Sequence, residues 1–191
     1  MKLIALTGLP RTGKDTMAQH LMDHYGYVRK SFADPLKVAA SVLLNRPLSQ
    51  CQGLDGFDRE AVMPEWGFSM RWFLQRLGTE CLRYQISADF WVTRMSLELT
   101  TLDGRVPDST SQEPPSELKV VITDCRFFNE LLMVRNLGGT LIEIRRPGIV
   151  GSDHLSDKGL PESAVDLVVT NKGSLVEFLT TIDNLAACYD W

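Results

Sequence analysis

The feature that most constrains this chain is a glycine-bounded loop between a short apolar run and an amphipathic segment. Residues 2–7 are apolar enough to predict a buried strand, and residues 14–25 carry apolar side chains on one helical face. The loop between them has the spacing Gly8-x4-Gly13-Lys14. In a strand–loop–helix context, this spacing lets backbone N–H groups and a helix N-terminus bind phosphate. The sequence therefore predicts a P-loop.

Three polar residues at the end of this loop have predicted tasks at a bound triphosphate. Lys14 would reach the β- and γ-phosphates, and Thr16 would donate to a phosphate from the first helical turn. Asp15 stands where a hydroxyl residue usually follows the lysine, so Mg²⁺ would be held through water or with help from this carboxylate. The predicted nucleotide-binding residues of the loop are Gly8, Arg11, Thr12, Gly13, Lys14, Asp15 and Thr16.

Short apolar runs alternate with amphipathic segments in much of the remaining chain. The runs lie at residues 27–32, 118–123, 140–145 and 165–170. Together with the first run they predict an α/β fold, a five-stranded parallel sheet flanked by helices. The length of 191 residues suits one domain. Its predicted parts are a core of residues 1–33, 118–146 and 164–191, a mostly helical insertion at about 34–117, and a Gly/Pro-rich lid at about 147–163.

The composition restricts the kinds of partner. A net charge of −4 gives no electrostatic case for a nucleic-acid groove, and no apolar run approaches a membrane-spanning length. The four cysteines form no Cys-x-x-Cys pair, which favours reduced thiols. We therefore expect a cytoplasmic protein with a small-molecule substrate and with no nucleic-acid or membrane partner.

Phosphoryl transfer requires in-line positioning and positive charge around the transferring oxygens, so charged residues at strand ends are candidates. Asp124 ends the third apolar strand, where a carboxylate would hold the water shell of Mg²⁺, and Arg126 follows it. Arg145 and Arg146 lead into the lid and would cover the phosphates. The catalytic candidates are Lys14, Asp124, Arg126, Arg145 and Arg146, and the metal candidates are Asp15, Thr16 and Asp124.

An inserted helix predicted at residues 70–86 carries a row of basic and amide side chains. Arg71 and Gln75 share a face at i, i+4 spacing, and Arg83 lies two turns beyond Arg76. Such a row suits an acceptor phosphate, and a solvated helix face is the alternative. The predicted substrate-binding residues are Asp34 and Lys37 after the second strand, then Arg71, Gln75, Arg76, Arg83 and Trp91.

For Trp91, and for the pair Asn171 and Gly173, the sequence allows both a functional and a structural interpretation. Trp91 would stack on a base or pack in the core, and core packing is favoured. Asn171 and Gly173 follow the fifth strand, where the backbone would contact the adenine ring of a bound nucleotide. A simple turn before the last helix is compatible with that contact.

Several short motifs occur in order along nearly the whole chain. They are Gly13-Lys14-Asp15-Thr16, Ser31-Phe32-Ala33-Asp34-Pro35-Leu36-Lys37, Leu74-Gln75-Arg76-Leu77-Gly78-Thr79-Glu80, Asp124-Cys125-Arg126-Phe127, Arg145-Arg146-Pro147 and Asn171-Lys172-Gly173-Ser174-Leu175. In this combination the chain resembles the deoxynucleoside monophosphate kinases of bacteriophages. The resemblance implies transfer of the γ-phosphate of ATP to a deoxynucleoside monophosphate, with Mg²⁺ as cofactor. It leaves the base preference open, and because related enzymes can be dimers, it leaves a homodimer open as well.

Two other functions are compatible with a P-loop. One is a kinase for another phosphorylated metabolite, of the phosphomevalonate or dephospho-coenzyme A type, which would release ADP only with that acceptor. The other is a non-catalytic regulator that uses ATP as a switch and needs no acceptor. The arginines that lead into the lid favour transfer chemistry over the regulator.

Overall fold

The structure is a computed structural model that describes residues 1–103, 117–149 and 160–191. Its strands are β1 (Lys2–Thr7), β2 (Val28–Lys30), β3 (Val62–Met63), β4 (Phe68–Ser69), β5 (Lys119–Ile122), β6 (Thr140–Arg145) and β7 (Leu167–Thr170). Its helices are α1 (Lys14–Tyr25), α2 (Asp34–Leu43), α3 (Leu48–Gln52), α4 (Met70–Gln75), α5 (Phe90–Asp103), α6 (Phe128–Asn136) and α7 (Leu175–Tyr189). A π-helix spans Arg76–Ile86, and a 3₁₀ turn spans Glu162–Ala164.

Five of the strands form one parallel sheet in the order β2-β5-β1-β6-β7. The predicted α/β fold with five parallel strands is therefore confirmed. The edge strand β2 is shorter than the predicted run at 27–32, because only Val28–Lys30 pairs with β5. With β1 at the centre of the sheet, the loop that follows it lies between the ends of β5 and β6.

The chain divides into two compact units. The first comprises Met1–Ser31 and Ser96–Trp191, and the second comprises Phe32–Met95. Helix α5 begins in the second unit and ends in the first. Parts of two predicted segments lie outside the described residues, namely 104–116 of the insertion and 150–159 of the lid.

The core of the first unit forms where α1 and α7 cover one face of the sheet. Leu6 of β1 and Ile144 of β6 are fully buried, and they pack in one cluster with Met17, Leu21 and Ile182 from the two helices. Burial of side chains of this size contributes about 1.5–3 kcal/mol each. This packing fixes the start of α1, and with it the end of the glycine loop, against the sheet.

The second unit is built from short elements around Met70, which is fully buried. Helices α2, α3 and α4 and the antiparallel pair β3–β4 surround it. Neither α3 nor the β3–β4 pair follows from the sequence, because residues 46–69 show no clear hydrophobic period. The predicted helix at 70–86 also needs correction, since it is α-helical only to Gln75 and continues as the π-helix.

Within the described parts of the chain, no helix is both long and apolar enough to cross a membrane. All four cysteine thiols are free, and Cys51 and Cys125 are buried. Burial raises the pKa of the Cys125 thiol well above its usual range. The two buried thiols thus act as small apolar side chains of the core.

Candidate active site

The loop between β1 and α1 has left-handed backbone at three residues. The φ angles are 120° at Gly8, 64° at Arg11 and 114° at Gly13. A Cβ on Gly8 would overlap the backbone carbonyl oxygen of Ile144, and a Cβ on Gly13 would lie 2.7 Å from Asn171 Nδ2. Both glycines are therefore required by conformation and by space. Their conformations give the loop the curl that the sequence predicts.

The side chain of Lys14 lies inside this curve and is 8% exposed. Its Nζ donates to the carbonyl oxygens of Gly8 at 2.9 Å and Leu9 at 2.6 Å. Thr12 Oγ1 donates to the same Leu9 oxygen at 3.0 Å. Lys14 also opens α1, so its ammonium group and the positive end of the helix dipole lie together at the loop. This is a site that favours an anion.

A cleft of about 270 Å³ opens beside the loop, within the first unit. Its lining residues are Arg11, Gly13, Lys14, Asp15, Thr16, Arg146, Asn171, Gly173, Leu175 and Phe178. The structure thus brings together most of the nucleotide-binding residues predicted from the sequence, with Arg146 beside them. Leu175 and Phe178 are additions that the sequence analysis missed. The sequence feature that could have predicted them is the Ser174–Glu177 capping box, which starts α7 and places its first turn at the cleft.

Asp124 lies just beyond β5, the neighbour of β1. Its Oδ2 accepts a hydrogen bond from Ser31 Oγ at 2.8 Å, and Ser31 directly follows β2. Because β2 and β5 are adjacent and parallel, the two strand ends meet and the hydroxyl orients the carboxylate. Ser31 is buried, and the sequence analysis gave it no role. Its place directly after a predicted strand could have indicated a residue of the site.

The segment that carries Arg126 is held by a buried carboxylate. Glu130 Oε2 accepts the backbone N–H groups of Arg126 at 2.8 Å and Phe127 at 3.1 Å, and Glu130 is 2% exposed. On the other side, the N–H of Cys125 donates to the carbonyl oxygen of Leu6 in β1 at 3.0 Å. The backbone around Arg126 is therefore fixed to the central strand and to the start of α6.

The neighbouring Arg145 and Arg146 have different surroundings. Arg145 Nη2 donates to Glu143 Oε2 at 2.7 Å and to Glu162 Oε1 at 2.9 Å. The hydrogen bond to Glu143 is the main cause of a raised pKa at Arg145, followed by the bond to Glu162. Arg146 instead lines the cleft with Lys14. Glu143 lies two residues before Arg145 on the same side of β6, so the ion pair between them could have been predicted from the sequence.

In the second unit, each predicted acceptor-binding cation has a partner. Lys37 Nζ lies 3.1 Å from Asp34 Oδ1, Arg71 pairs with Glu60, and Arg76 pairs with Glu80. The guanidinium carbon of Arg76 also lies 5.5 Å from the ring centre of Trp72. Each of these three cations is thus paired with a carboxylate of the same unit.

The predicted alignment of Arg83 with Arg76 on one helix face is wrong. Arg76 is exposed, whereas Arg83 is buried, with Nη1 donating to the carbonyl oxygen of Ala88 at 3.3 Å. The physical reason is the π-helix, in which i→i+5 bonding gives more residues per turn than the α-helical spacing assumed. Gln75 lies at the end of α4 and is half-buried.

Trp91 packs inside the second unit. It is 6% exposed, and its indole N–H donates to the carbonyl oxygen of Gly78 at 2.8 Å. The ring of Phe90 meets it edge-on at 5.0 Å between ring centres. This is the way a core tryptophan satisfies its one donor. A contact between Trp91 and a substrate base stays a prediction.

The fold and the loop together define a protein with the P-loop kinase fold. A central parallel strand leads into the glycine loop and α1, and the structure resembles the dephospho-coenzyme A kinase of Campylobacter jejuni. The TM-score is 0.53 at 15% sequence identity, over 98% of this chain and 96% of that enzyme. At this identity the likeness concerns the fold alone.

Sequence comparison identifies the family. The family model for deoxynucleotide monophosphate kinase matches residues 50–182. A protein of Acanthamoeba polyphaga mimivirus assigned as a deoxynucleotide monophosphate kinase is 35% identical over 185 residues, covering 95% of this chain and 94% of the relative. The deoxynucleotide monophosphate kinase of Enterobacteria phage T4 is 25% identical, covering 96% of this chain and 98% of the phage enzyme. The chain belongs to the deoxynucleotide monophosphate kinase family and is a phosphotransferase, which confirms the resemblance noted in its motifs.

Proposed function

We propose that this chain transfers the γ-phosphoryl group of ATP to a deoxynucleoside monophosphate, giving ADP and a deoxynucleoside diphosphate. The observation that carries the proposal is the position of Lys14 inside a glycine loop that two left-handed glycines shape, in a chain of this family. The proposed partners are small molecules, and the proposed location is the cytoplasm, that of the host cell if the source is a virus.

On the donor side, the loop supplies N–H groups and Lys14 supplies a compact positive charge at the β- and γ-phosphates. Arg146 adds a second cation from the end of β6. Positive groups that line one cleft stabilise the charge that spreads over the transferring oxygens. Arg146 is the better candidate of the two arginines for this task, because it lines the cleft and Arg145 is not among the lining residues.

The residues at the loop fit a Mg²⁺ ion that is bound together with ATP. The oxygen ligands would be Thr16 and Asp15 at the start of α1, with Asp124, which Ser31 orients at the neighbouring strand end, acting through water. Among the described residues, no group of three or more His, Cys, Asp or Glu side chains is arranged so that it could hold a metal ion. This suits Mg²⁺, which usually binds one or two carboxylates and takes its other ligands from water and phosphates. When bound, the ion would neutralise charge on the phosphates.

On the acceptor side, we assign the monophosphate to the cations of the second unit. Arg71, Gln75 and Arg76 would bind its oxygens, with Lys37 and Arg83 as further candidates. The carboxylates that pair with Arg71 and Arg76 hold both guanidinium groups in place before substrate binds. No general base is required, because an oxygen of the acceptor phosphate is already a nucleophile.

The test is ADP release in the presence of ATP and Mg²⁺, with dAMP, dGMP, dCMP and dTMP and their ribose counterparts added singly. Strong stimulation by at least one deoxynucleotide is the expected result, and it would also identify the base. Stimulation only by a different phosphorylated metabolite, such as dephospho-coenzyme A, would replace the acceptor in the proposal. ATP hydrolysis that ignores every acceptor would favour a regulator.

Arg71→Ala is expected to raise the KM for the acceptor by roughly 10- to 100-fold, the equivalent of one hydrogen bond between charged groups. The KM for ATP should change less than threefold, because Arg71 belongs to the second unit and does not line the ATP cleft. Initial rates measured over a grid of both substrate concentrations separate the two constants.

The matched control for this variant is Arg46→Ala. Arg46 is also a half-buried arginine of the second unit that pairs with a glutamate, Glu65, but it has no predicted substrate contact. Equal changes in both KM values for Arg71→Ala, or the same change in Arg46→Ala, would remove Arg71 from the acceptor site.

A further inference from the structure

Asn171 connects three segments at the edge of the ATP cleft. It directly follows β7, is 9% exposed, and its backbone N–H donates to the carbonyl oxygen of Arg145 at 2.7 Å. Its side-chain Nδ2 donates to the carbonyl oxygen of Thr12 at 2.9 Å. One residue therefore ties the end of β6, the end of β7 and the glycine loop together.

The bond to Thr12 fixes the plane of a particular peptide group. In a planar trans peptide, the C=O and the following N–H point in opposite directions. Because Asn171 holds the Thr12 oxygen, the N–H of Gly13 points away from Asn171. Gly13 is the last loop residue before Lys14, and its backbone φ of 114° lies in the region reserved for glycine. The side chain of Asn171 thus sets the direction of one loop donor.

The same contact limits how far this peptide can move. A Cβ on Gly13 would lie 2.7 Å from Asn171 Nδ2 and 3.2 Å from Phe178 Cε1. The Gly13 backbone is therefore packed directly on Asn171 and Phe178, both of which line the cleft. Rotation of the Thr12–Gly13 peptide would break the hydrogen bond and drive its oxygen toward a bound phosphate, where it would repel the anion.

We propose that Asn171 is a positioning residue for phosphate binding, acting through the orientation of the Thr12–Gly13 peptide. It does so without contact between its amide and the phosphate. This role is separate from the predicted contact of its backbone with adenine. It builds on the proposed function, because the loop must bind ATP, but it does not depend on which acceptor is phosphorylated.

The test compares ATP with AMP, which share the adenine ring and differ in their phosphates. Asn171→Leu keeps the side-chain shape and removes the donor. Dissociation constants of both nucleotides are measured with Mg²⁺ by competition against a fluorescent ATP analogue. We expect the affinity for ATP to fall about three- to tenfold, the effect of one lost neutral hydrogen bond, and the affinity for AMP to change less than twofold.

Asn136→Leu is the matched control, because Asn136 is an exposed asparagine at the end of α6, and it should leave both constants unchanged. If Asn171→Leu does not fold, Asn171→Ser supplies the same comparison with a smaller side chain. Equal weakening of ATP and AMP would show an adenine contact and overturn the proposal. Unchanged ATP affinity would overturn it too. Failure of the wild type to phosphorylate any deoxynucleotide would count against the proposed function and leave this comparison of affinities valid.

Discussion

Lys14→Ala is expected to lower kcat/KM by about 10²- to 10³-fold, the loss seen when one fixed electrostatic donor is removed from a transition state. The ammonium group is buried within the glycine loop and bound to the Gly8 and Leu9 carbonyl oxygens, so the substitution removes a positive charge that is fixed inside the loop. The measurement is steady-state ADP release with the acceptor that the wild type uses. The melting temperature should fall by only a few degrees, because the lost contacts are local to one loop.

Lys172→Ala is the control for loss of charge. Lys172 is exposed and follows Asn171, so it lies at the same end of the sheet without entering the loop. We expect it to retain nearly full activity. Comparable losses in the two variants would mean that Lys14 acts through the general potential of the surface. Wild-type activity in a folded Lys14→Ala protein would remove the glycine loop from the active site.

Gly8→Ala is expected to lower the free energy of unfolding by about 3 kcal/mol or more. Left-handed backbone at a residue other than glycine costs about 1–3 kcal/mol, and the new Cβ would also overlap the carbonyl oxygen of Ile144. That oxygen belongs to the backbone of β6, an interior strand of the sheet, so it cannot move aside as a side chain would. Thermal melts should show a fall of roughly 6–12 °C.

Gly26→Ala separates the cost of the left-handed backbone from the cost of the overlap with Ile144. Gly26 ends α1 with a φ of 72°, and a Cβ there would meet nothing within 4 Å. Only the conformational cost of about 1–2 kcal/mol applies at this site. A larger loss for Gly8→Ala than for Gly26→Ala is the expected order. Equal losses would show that the β6 carbonyl group adapts, and that close packing of the loop on β6 is not required.

Hydrophobic pattern predicts the sheet well because each of its strands is a local feature. Buried runs of four to six residues such as Lys119–Ile122 and Thr140–Arg145 can be read directly from the sequence. The two-residue strands Val62–Met63 and Phe68–Ser69 are too short to show alternation. The π-helix at Arg76–Ile86 is also hidden, because the apolar residues of this segment fit an α-helical pattern and nothing in it marks the change to i→i+5 bonding.

The candidate site was predictable where a motif fixes the local backbone, as in the loop that ends at Lys14. It was not predictable where two distant segments decide the outcome. The bond from Asn171 to Thr12 joins residues 159 positions apart, and the bond from Ser31 to Asp124 joins residues 93 apart. Such pairs depend on strand order, which the sequence of one chain does not reveal. The predicted roles of the acceptor-binding arginines await the kinetic tests.

The division of the chain at Ser31 and Ser96 has a consequence for how substrate range can change. Among the described residues, every side chain that lines the ATP cleft belongs to the first unit, and the proposed acceptor residues belong to the second. The second unit is a single uninterrupted stretch, Phe32–Met95. One recombination event that replaces this stretch would exchange all of the proposed acceptor residues in a single step. The phosphate-transfer machinery, including its glycine loop, would be inherited unaltered.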